Sequence, residues 1–262
     1  MKLAVHGAAG RMGQRVIALA IEDPRFQVVA ALESANHPLL GKDAGVVAGV
    51  EPLGIPVGVV GESVADVVID FSVPDAAVAV VAHCVECQRP VVVATTGLDK
   101  QQQDYMRKAA QKIPIVFSPN MSTAVNVVMK LTEVAAKTLS NVPSGADVEI
   151  IEFHHRFKED APSGTALRFG QIVADLMDLD EHRHGRSGRP GPRPRDEIGY
   201  HSIRAGDNPG EHTILFGMLG ETLELRVAAT NRDCYAQGAL LAAEWLVGKP
   251  PGLYGMNDVL GL

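Results

Sequence analysis

Only three cysteines occur in 262 residues, an odd number that builds no disulfide framework and fits a reducing compartment. Excess positive charge is also missing. The 24 Lys and Arg stand against 31 Asp and Glu, a formal charge of −7, whereas a nucleic-acid or anionic-membrane binder needs a broad basic surface. Neither partner is expected, and an anionic ligand must be met by charge concentrated locally. No apolar run reaches the about 18 residues needed to span a bilayer. Met1 leads directly into Lys2-Leu3-Ala4-Val5 without the charged, apolar and small-residue regions of a leader, so the expected location is cytoplasmic. No internal repeat or low-complexity tract interrupts the chain. What remains is an ordinary globular composition, 46% hydrophobic and 21% charged, long enough for two lobes at about 150 residues per domain.

Over the first 120 residues, nearly all-apolar runs at Leu3–His6, Val28–Leu32, Val67–Phe71, Val91–Thr95 and Ile115–Phe117 alternate with helical patterns. Buried strands separated by helices predict a parallel, doubly wound α/β lobe of Rossmann type. Pro74 and Asp75 suit a helix first turn, continued by Ala76–Cys87. After Asn120 the pattern changes to a long helix (Ala124–Leu139), a strand (Asp147–Phe153), a helix (Thr165–Met177) and strands at Glu211–Phe216 and Thr222–Ala228. Strands now outnumber crossovers, which predicts an α+β lobe with a mixed sheet. The apolar helix Cys234–Leu246 is expected to return to the first lobe. The resulting division is 1–122 with 234–262 for a dinucleotide-binding domain, and 123–233 for a substrate-binding and oligomerisation domain.

Gly7-Ala8-Ala9-Gly10-Arg11-Met12-Gly13 stands between the first strand and the helical run Gln14–Glu22. This is the order a dinucleotide site requires: a tight turn at Gly7, close approach of backbone to pyrophosphate at Gly10, and helix-on-strand packing at Gly13. The helix start then faces the phosphates with its N–H groups and positive dipole end. Glu33, 20 residues beyond Gly13, suits hydrogen bonds to the adenine ribose hydroxyls. A carboxylate there repels a ribose 2′-phosphate and the next residue is Ser34, so NADH is expected to be preferred over NADPH. Arg11 is the one nearby cation that could reach such a phosphate. Ligands of open α/β sheets bind beyond the carboxyl ends of strands. That places Thr95-Thr96-Gly97, with Thr96 toward nicotinamide and substrate, and Ser118-Pro119-Asn120-Met121, with carbonyls and an amide for the carboxamide or else an interdomain hinge.

The strand Val148–Phe153 runs into His154-His155-Arg156-Phe157-Lys158-Glu159-Asp160-Ala161-Pro162-Ser163-Gly164-Thr165. Basic side chains concentrated this way in an acidic protein supply the local charge an anionic substrate needs. Pro-Ser-Gly-Thr opens a helix, so Ser163, Gly164 and Thr165 form a second carboxylate site at a helix N-terminus. Together they make a two-ended anion clamp. Taken without that company, the same segment reads as a solvated strand end followed by a capped helix. Cys84-Val85-Glu86-Cys87 is read as buried helical thiols, and His182 and His184 lack the spacing of a helical metal site, so no metal is expected. The Arg/Pro/Gly-rich run Arg183–Arg195 is expected to be a mobile surface loop, with subunit contacts or a lid as candidate roles.

The stretch Glu152–Thr165 and the Gly7–Gly13 turn resemble the 4-hydroxy-tetrahydrodipicolinate reductase family, also called dihydrodipicolinate reductase. Arg204-Ala205-Gly206, Gly210-Glu211-His212-Thr213 and the closing Trp245-Leu246 helix are similar too. The resemblance covers nearly the whole chain. It implies reduction of a small cyclic dicarboxylate of diaminopimelate and lysine synthesis by NADH or NADPH. It also implies His154 and Lys158 as catalytic residues, and His155, Gly164 and Thr165 as substrate contacts. Nucleotide contacts fall at Gly7, Ala8, Ala9, Gly10, Arg11 and Met12, at Glu33, at Ala94, Thr95 and Thr96, and at Ser118 to Met121. A homotetramer joined through the second lobe's sheet follows from the same resemblance. Ser34 and Val73 stand where some members carry arginines, which agrees with the NADH preference. Hydride addition to a conjugated carbon leaves charge that a proton must quench, a task open to either Lys158 or His154. Two rival readings are another amino-acid-pathway dehydrogenase, such as an aspartate dehydrogenase, and a sensor that binds NAD(H) without turnover.

Overall fold

The computed structural model describes residues 1–61 and 64–262 and divides into two compact units, Met1–Thr123 with Arg232–Leu262, and Ala124–Asn231. The chain begins with β1 (Lys2–His6), α1 (Arg11–Glu22), β2 (Gln27–Glu33), α2 (Ala44–Ala48), β3 (Val57–Val59), β4 (Val67–Asp70) and α3 (Pro74–Glu86). It continues with β5 (Val91–Val93), α4 (Lys100–Ala109) and β6 (Pro114–Phe117). Next come α5 (Thr123–Leu139), β7 (Asp147–His154), α6 (Gly164–Met177), β8 (Glu181–His184), β9 (Glu197–Arg204), β10 (Glu211–Met218) and β11 (Glu221–Ala228). The last elements are α7 (Asp233–Leu246), β12 (Gly252–Tyr254) and α8 (Met256–Leu260).

The first unit is a Rossmann-like sheet in the order β12-β6-β5-β4-β1-β2-β3, with every pairing parallel. Because its strands are covered on both faces, alternate residues serve two cores. Leu3, Val5, Val67 and Ile69 pack with Val16 and Ile17 of α1 and Ala239 and Ala243 of α7. Ala4, Val68, Val91 and Val93 pack with Val80 and Val81 of α3 and Met106 of α4. Arg15 of α1 pairs with Asp233 of α7 at 2.6 Å, fixing the returning helix beside the nucleotide-motif helix. The chain runs outward through β1, β2 and β3, then restarts on the other side of β1 at β4. The space above β1 and β4 is therefore a topological switch point, where ligands of such sheets bind.

The second unit carries the mixed sheet β11-β10-β7-β9-β8, antiparallel at β11-β10-β7 and parallel at β7-β9-β8. Val148, Ile150, Ile198, Ile214 and Phe216 form a core with Phe169 and Val173 of α6 and Ala136 of α5. Burial alternates along β7, with Val148, Ile150, Glu152 and His154 all facing inward. Two polar residues thus complete an otherwise apolar row.

Two strands of this sheet escaped the sequence reading. All four residues of β8 are exposed, so no apolar alternation marks it, and β9 follows the Arg/Pro/Gly run directly. The run read as a mobile loop is tied to the sheet in part: Arg183 and His184 lie in β8, Arg186 bonds Glu149 at 2.6 Å and Arg193 bonds Asp147 at 2.8 Å. The strand expected to extend to Thr95 ends at Val93, which leaves Thr95 and Thr96 in the turn beyond it. Of the two thiols expected to be buried, Cys84 is, whereas Cys87 is exposed because it falls at the end of α3. Among the described residues, no helix is long and apolar enough to cross a membrane.

Candidate active site

In the first unit the glycine motif has the geometry a phosphate turn needs. Gly7 sits at φ +72°, and a Cβ there would run into the Phe71 carbonyl, so both its left-handed backbone and its closeness to the neighbouring turn demand glycine. A Cβ on Gly13 would collide with the Gly7 carbonyl and come within 2.7 Å of Ala8 Cα; its absence lets α1 start against β1. Gly10 is the N-cap of α1, with no capping side chain and no acidic residue in the first turn. An anion can thus approach the helix start without competition from a carboxylate.

Glu33 Oε1 accepts the Ala9 N–H at 3.0 Å and Oε2 accepts the Ser34 N–H at 3.2 Å. The carboxylate that sequence places at a ribose is therefore physically joined to the glycine turn. Ala8 is fully buried and Met121 nearly so. Arg11, Thr96 and Pro119 are exposed and Met12 is half-buried. Ala94 is buried, its N–H donated to the Asp70 carbonyl at 2.9 Å. Thr95 is buried as well, its hydroxyl donated to Asp70 at 2.6 Å. The Ser118 hydroxyl donates to the Asn120 carbonyl at 2.8 Å and Asn120 Oδ1 accepts the Ser122 N–H at 2.9 Å, so this turn holds its own shape.

In the second unit, strand register builds the site. Glu152 and His154 lie two apart on one face of β7; Arg204 of β9 is the register partner of His154, and His212 of β10 that of Glu152. Arg204 clamps Glu152 with two bonds of 2.8 and 2.6 Å, and further contacts come from His154 Nδ1, from Ser202 and, at 3.3 Å, from the Ser163 N–H. Burial alone would raise the Glu152 carboxyl, but the bonds from Arg204, Ser202 and His154 outweigh it and hold the group at about 2. Glu152 is accordingly a carboxylate that only accepts, which places a proton on His154 Nδ1 and leaves Nε2 as the basic nitrogen.

Burial pulls the His154 pKa below its ordinary value, opposed in part by Glu152, so the ring is neutral at pH 7. Gly210 packs over it at φ +146°, and a Cβ there would lie 2.9 Å from His154 Nε2. Lys158 pairs with the exposed Asp160 carboxylate at 2.7 Å, and its charge is among those that lower His154. The His155 N–H donates to the Asn208 carbonyl at 2.8 Å, and the residue is half-buried.

The Ser163 hydroxyl caps α6 by accepting the Ala166 N–H at 3.2 Å and is joined to His212 Nε2 at 2.9 Å. With Ser163 only 2% exposed, its side chain is engaged in the cap, so the anion-facing part of this helix start shifts to Gly164 and Thr165. A Cβ on Gly164 would meet nothing within 4 Å, so packing does not require the glycine. Sequence reasoning missed Glu152, Arg204 and His212 as parts of one network. The available signal was charge at an inward position: Glu152 breaks the apolar alternation of Val148 and Ile150.

A glycine-turn Rossmann unit, followed by a mixed-sheet unit with a carboxylate-oriented histidine beside a lysine and a helix start, defines the class of nicotinamide-dependent oxidoreductases. Residues 1–121 match the family model described as dihydrodipicolinate reductase, N-terminus, and residues 124–260 match the model for its C-terminus. A 4-hydroxy-tetrahydrodipicolinate reductase of Rhodopirellula baltica is 55% identical over all of this chain and 96% of its own length. One from Syntrophotalea carbinolica is 44% identical over all of this chain and 99% of its own. A dipicolinate-bound dihydrodipicolinate reductase from Paenisporosarcina superposes with a TM-score of 0.79 at 26% identity, covering 98% of both chains. The chain belongs to the dihydrodipicolinate reductase family.

Proposed function

We propose that the protein reduces 4-hydroxy-tetrahydrodipicolinate to tetrahydrodipicolinate in diaminopimelate and lysine synthesis, with NAD(P)H as reductant. The observation that carries this reading is the meeting of the Glu152–His154 pair with the capped start of α6 through one carboxylate, in a chain matched end to end by relatives of that name. The nucleotide is held by the first unit, at Gly7 to Met12, Glu33, Ala94 to Thr96 and Ser118 to Met121. The second unit holds the substrate. One carboxylate is met by Gly164 and Thr165 at the start of α6, the other by His155 and the Lys158 side of the loop. That the Paenisporosarcina relative is described with dipicolinate bound supports a flat, cyclic dicarboxylate ligand.

NAD(P)H, when bound, supplies the hydride. The protein's own work is to orient the ring and manage a proton. His154, fixed by Glu152, presents Nε2 as a base near neutral pH, and Lys158 supplies a proton donor and a countercharge to a substrate carboxylate. NADH is the preferred cofactor in this reading. Glu33 puts negative charge beside the ribose position, and Ser34 and Val73, both exposed, offer no cation to a 2′-phosphate. Assembly as a homotetramer through the second unit's sheet accords with the 47% exposed Ile203, and a cytoplasmic location with three cysteines that form no disulfide among the described residues. Lys158→Ala should abolish turnover and keep NADH binding; intact turnover would remove Lys158 from this role.

A further inference from the structure

Three adjacent strand ends in the first unit converge on a single carboxylate. Asp70 closes β4 and is fully buried, and His6, the last residue of β1, is its register partner. His6 Nδ1 donates to Asp70 Oδ1 at 2.7 Å, the Ser72 hydroxyl to the same oxygen at 2.6 Å, and the Thr95 hydroxyl to Oδ2 at 2.6 Å. Thr95 Oγ1 in turn accepts the Ser72 N–H at 2.9 Å. A carboxylate only accepts, so the direction of all three bonds to Asp70 is fixed.

The position is unusual for such a group. The rest of β4 is Val67, Val68 and Ile69, all buried. A buried, fully hydrogen-bonded polar group adds little net stability over apolar residues of the same volume, while removing one of its partners is costly. Its value therefore lies in what it fixes. The turns leaving β1, β4 and β5 are joined at this carboxylate directly below the switch point: Gly7 lies against the Phe71 carbonyl, Ser72 donates from the second turn, and Thr95 from the third. We infer that His6 and Asp70 are positioning residues for the nucleotide site, with Asp70 holding the three turns in register and His6 holding Asp70.

This inference rests on the reading that Gly7 to Met12 and Thr95 to Thr96 meet the nucleotide. Neither His6 nor Asp70 touches the ligand; they act through those turns. A purely packing role and a hydrogen-bonding role make opposite demands at position 6. Leucine keeps the bulk and removes the donor, whereas the asparagine Nδ2 branches at the same point as the histidine Nδ1 and keeps it.

The test is NADH affinity, read by nucleotide fluorescence on the full chain, with pyridine-2,6-dicarboxylate binding by calorimetry as the second-unit control. His6→Leu should weaken NADH about tenfold, a loss of about 1.4 kcal/mol, His6→Asn should stay within about twofold of the parent, and dicarboxylate binding should be equal in all three. Asp70→Asn should match His6→Leu, and adding it to His6→Leu should cost no further affinity, as coupled partners require. Should His6→Leu fail to fold, Ser72→Ala removes a donor from the same carboxylate without new bulk and reads the same loss. Wild-type NADH affinity in His6→Leu, or leucine performing as well as asparagine, overturns the inference while leaving the nucleotide reading intact. A parent protein that binds the dicarboxylate and no NADH overturns both.

Discussion

Acidification should weaken the second unit through one buried histidine. His212 is 5% exposed, and burial, reinforced by the neighbouring His154, lowers its pKa from 6.5 to about 4. A group whose folded pKa is depressed favours the folded state above its unfolded pKa and loses that contribution as pH falls toward the folded value. The stability is therefore fully present above about pH 6.5 and is lost between about pH 6.5 and 4, a total of roughly 3 kcal/mol. Between pH 7.5 and 4.5 the loss from this group alone should be about 2.5 kcal/mol. His212→Gln removes the titration and keeps a side-chain nitrogen for Ser163. Urea unfolding of both proteins at the two pH values isolates the effect, because every other titratable side chain is common to both. Parallel losses in parent and variant would refute the reasoning.

Glu152→Gln leaves Arg204 without its counter-ion, at a cost of about 3 kcal/mol, and releases His154 to either tautomer. kcat should fall about 100-fold with pyridine-2,6-dicarboxylate affinity changed only a few-fold, as steady-state kinetics and calorimetry would show. Ser34→Arg places a cation beside the ribose site and should raise NADPH affinity about tenfold, with NADH affinity nearly constant in the same titration. Gly13→Ala forces a methyl onto the Gly7 carbonyl; thermal unfolding should report a loss of about 1–3 kcal/mol together with weakened NADH binding.

The parallel sheet was legible because its strands are buried on both faces: runs such as Val67–Ile69 and Val91–Val93 carry no polar interruption. The nucleotide turn was legible because three glycines at fixed spacing answer separate steric demands, two of which the geometry displays at Gly7 and Gly13. β8 was not, since it is an edge strand with all four residues exposed, and β9 was not, because Glu197 and Gly199 interrupt its buried Ile198 and Tyr200. Arg186 and Arg193 reach Glu149 from a segment whose composition reads as a loop. At the candidate site, the residues contiguous in sequence, His154 to Thr165, announced themselves. Arg204 and His212 did not, because their relation to Glu152 exists only through register across β9 and β10. Ser163 was recognised as a helix start, but its hydroxyl also meets His212, a residue 49 positions away.

The most direct test of the central claim is consumption of NADH by the purified protein, supplied with freshly made 4-hydroxy-tetrahydrodipicolinate and followed at the nicotinamide absorbance band. The account predicts rapid loss of absorbance in the parent, none in Lys158→Ala, and competition by pyridine-2,6-dicarboxylate. A parent protein that consumes no NADH and fails to bind that dicarboxylate would contradict it.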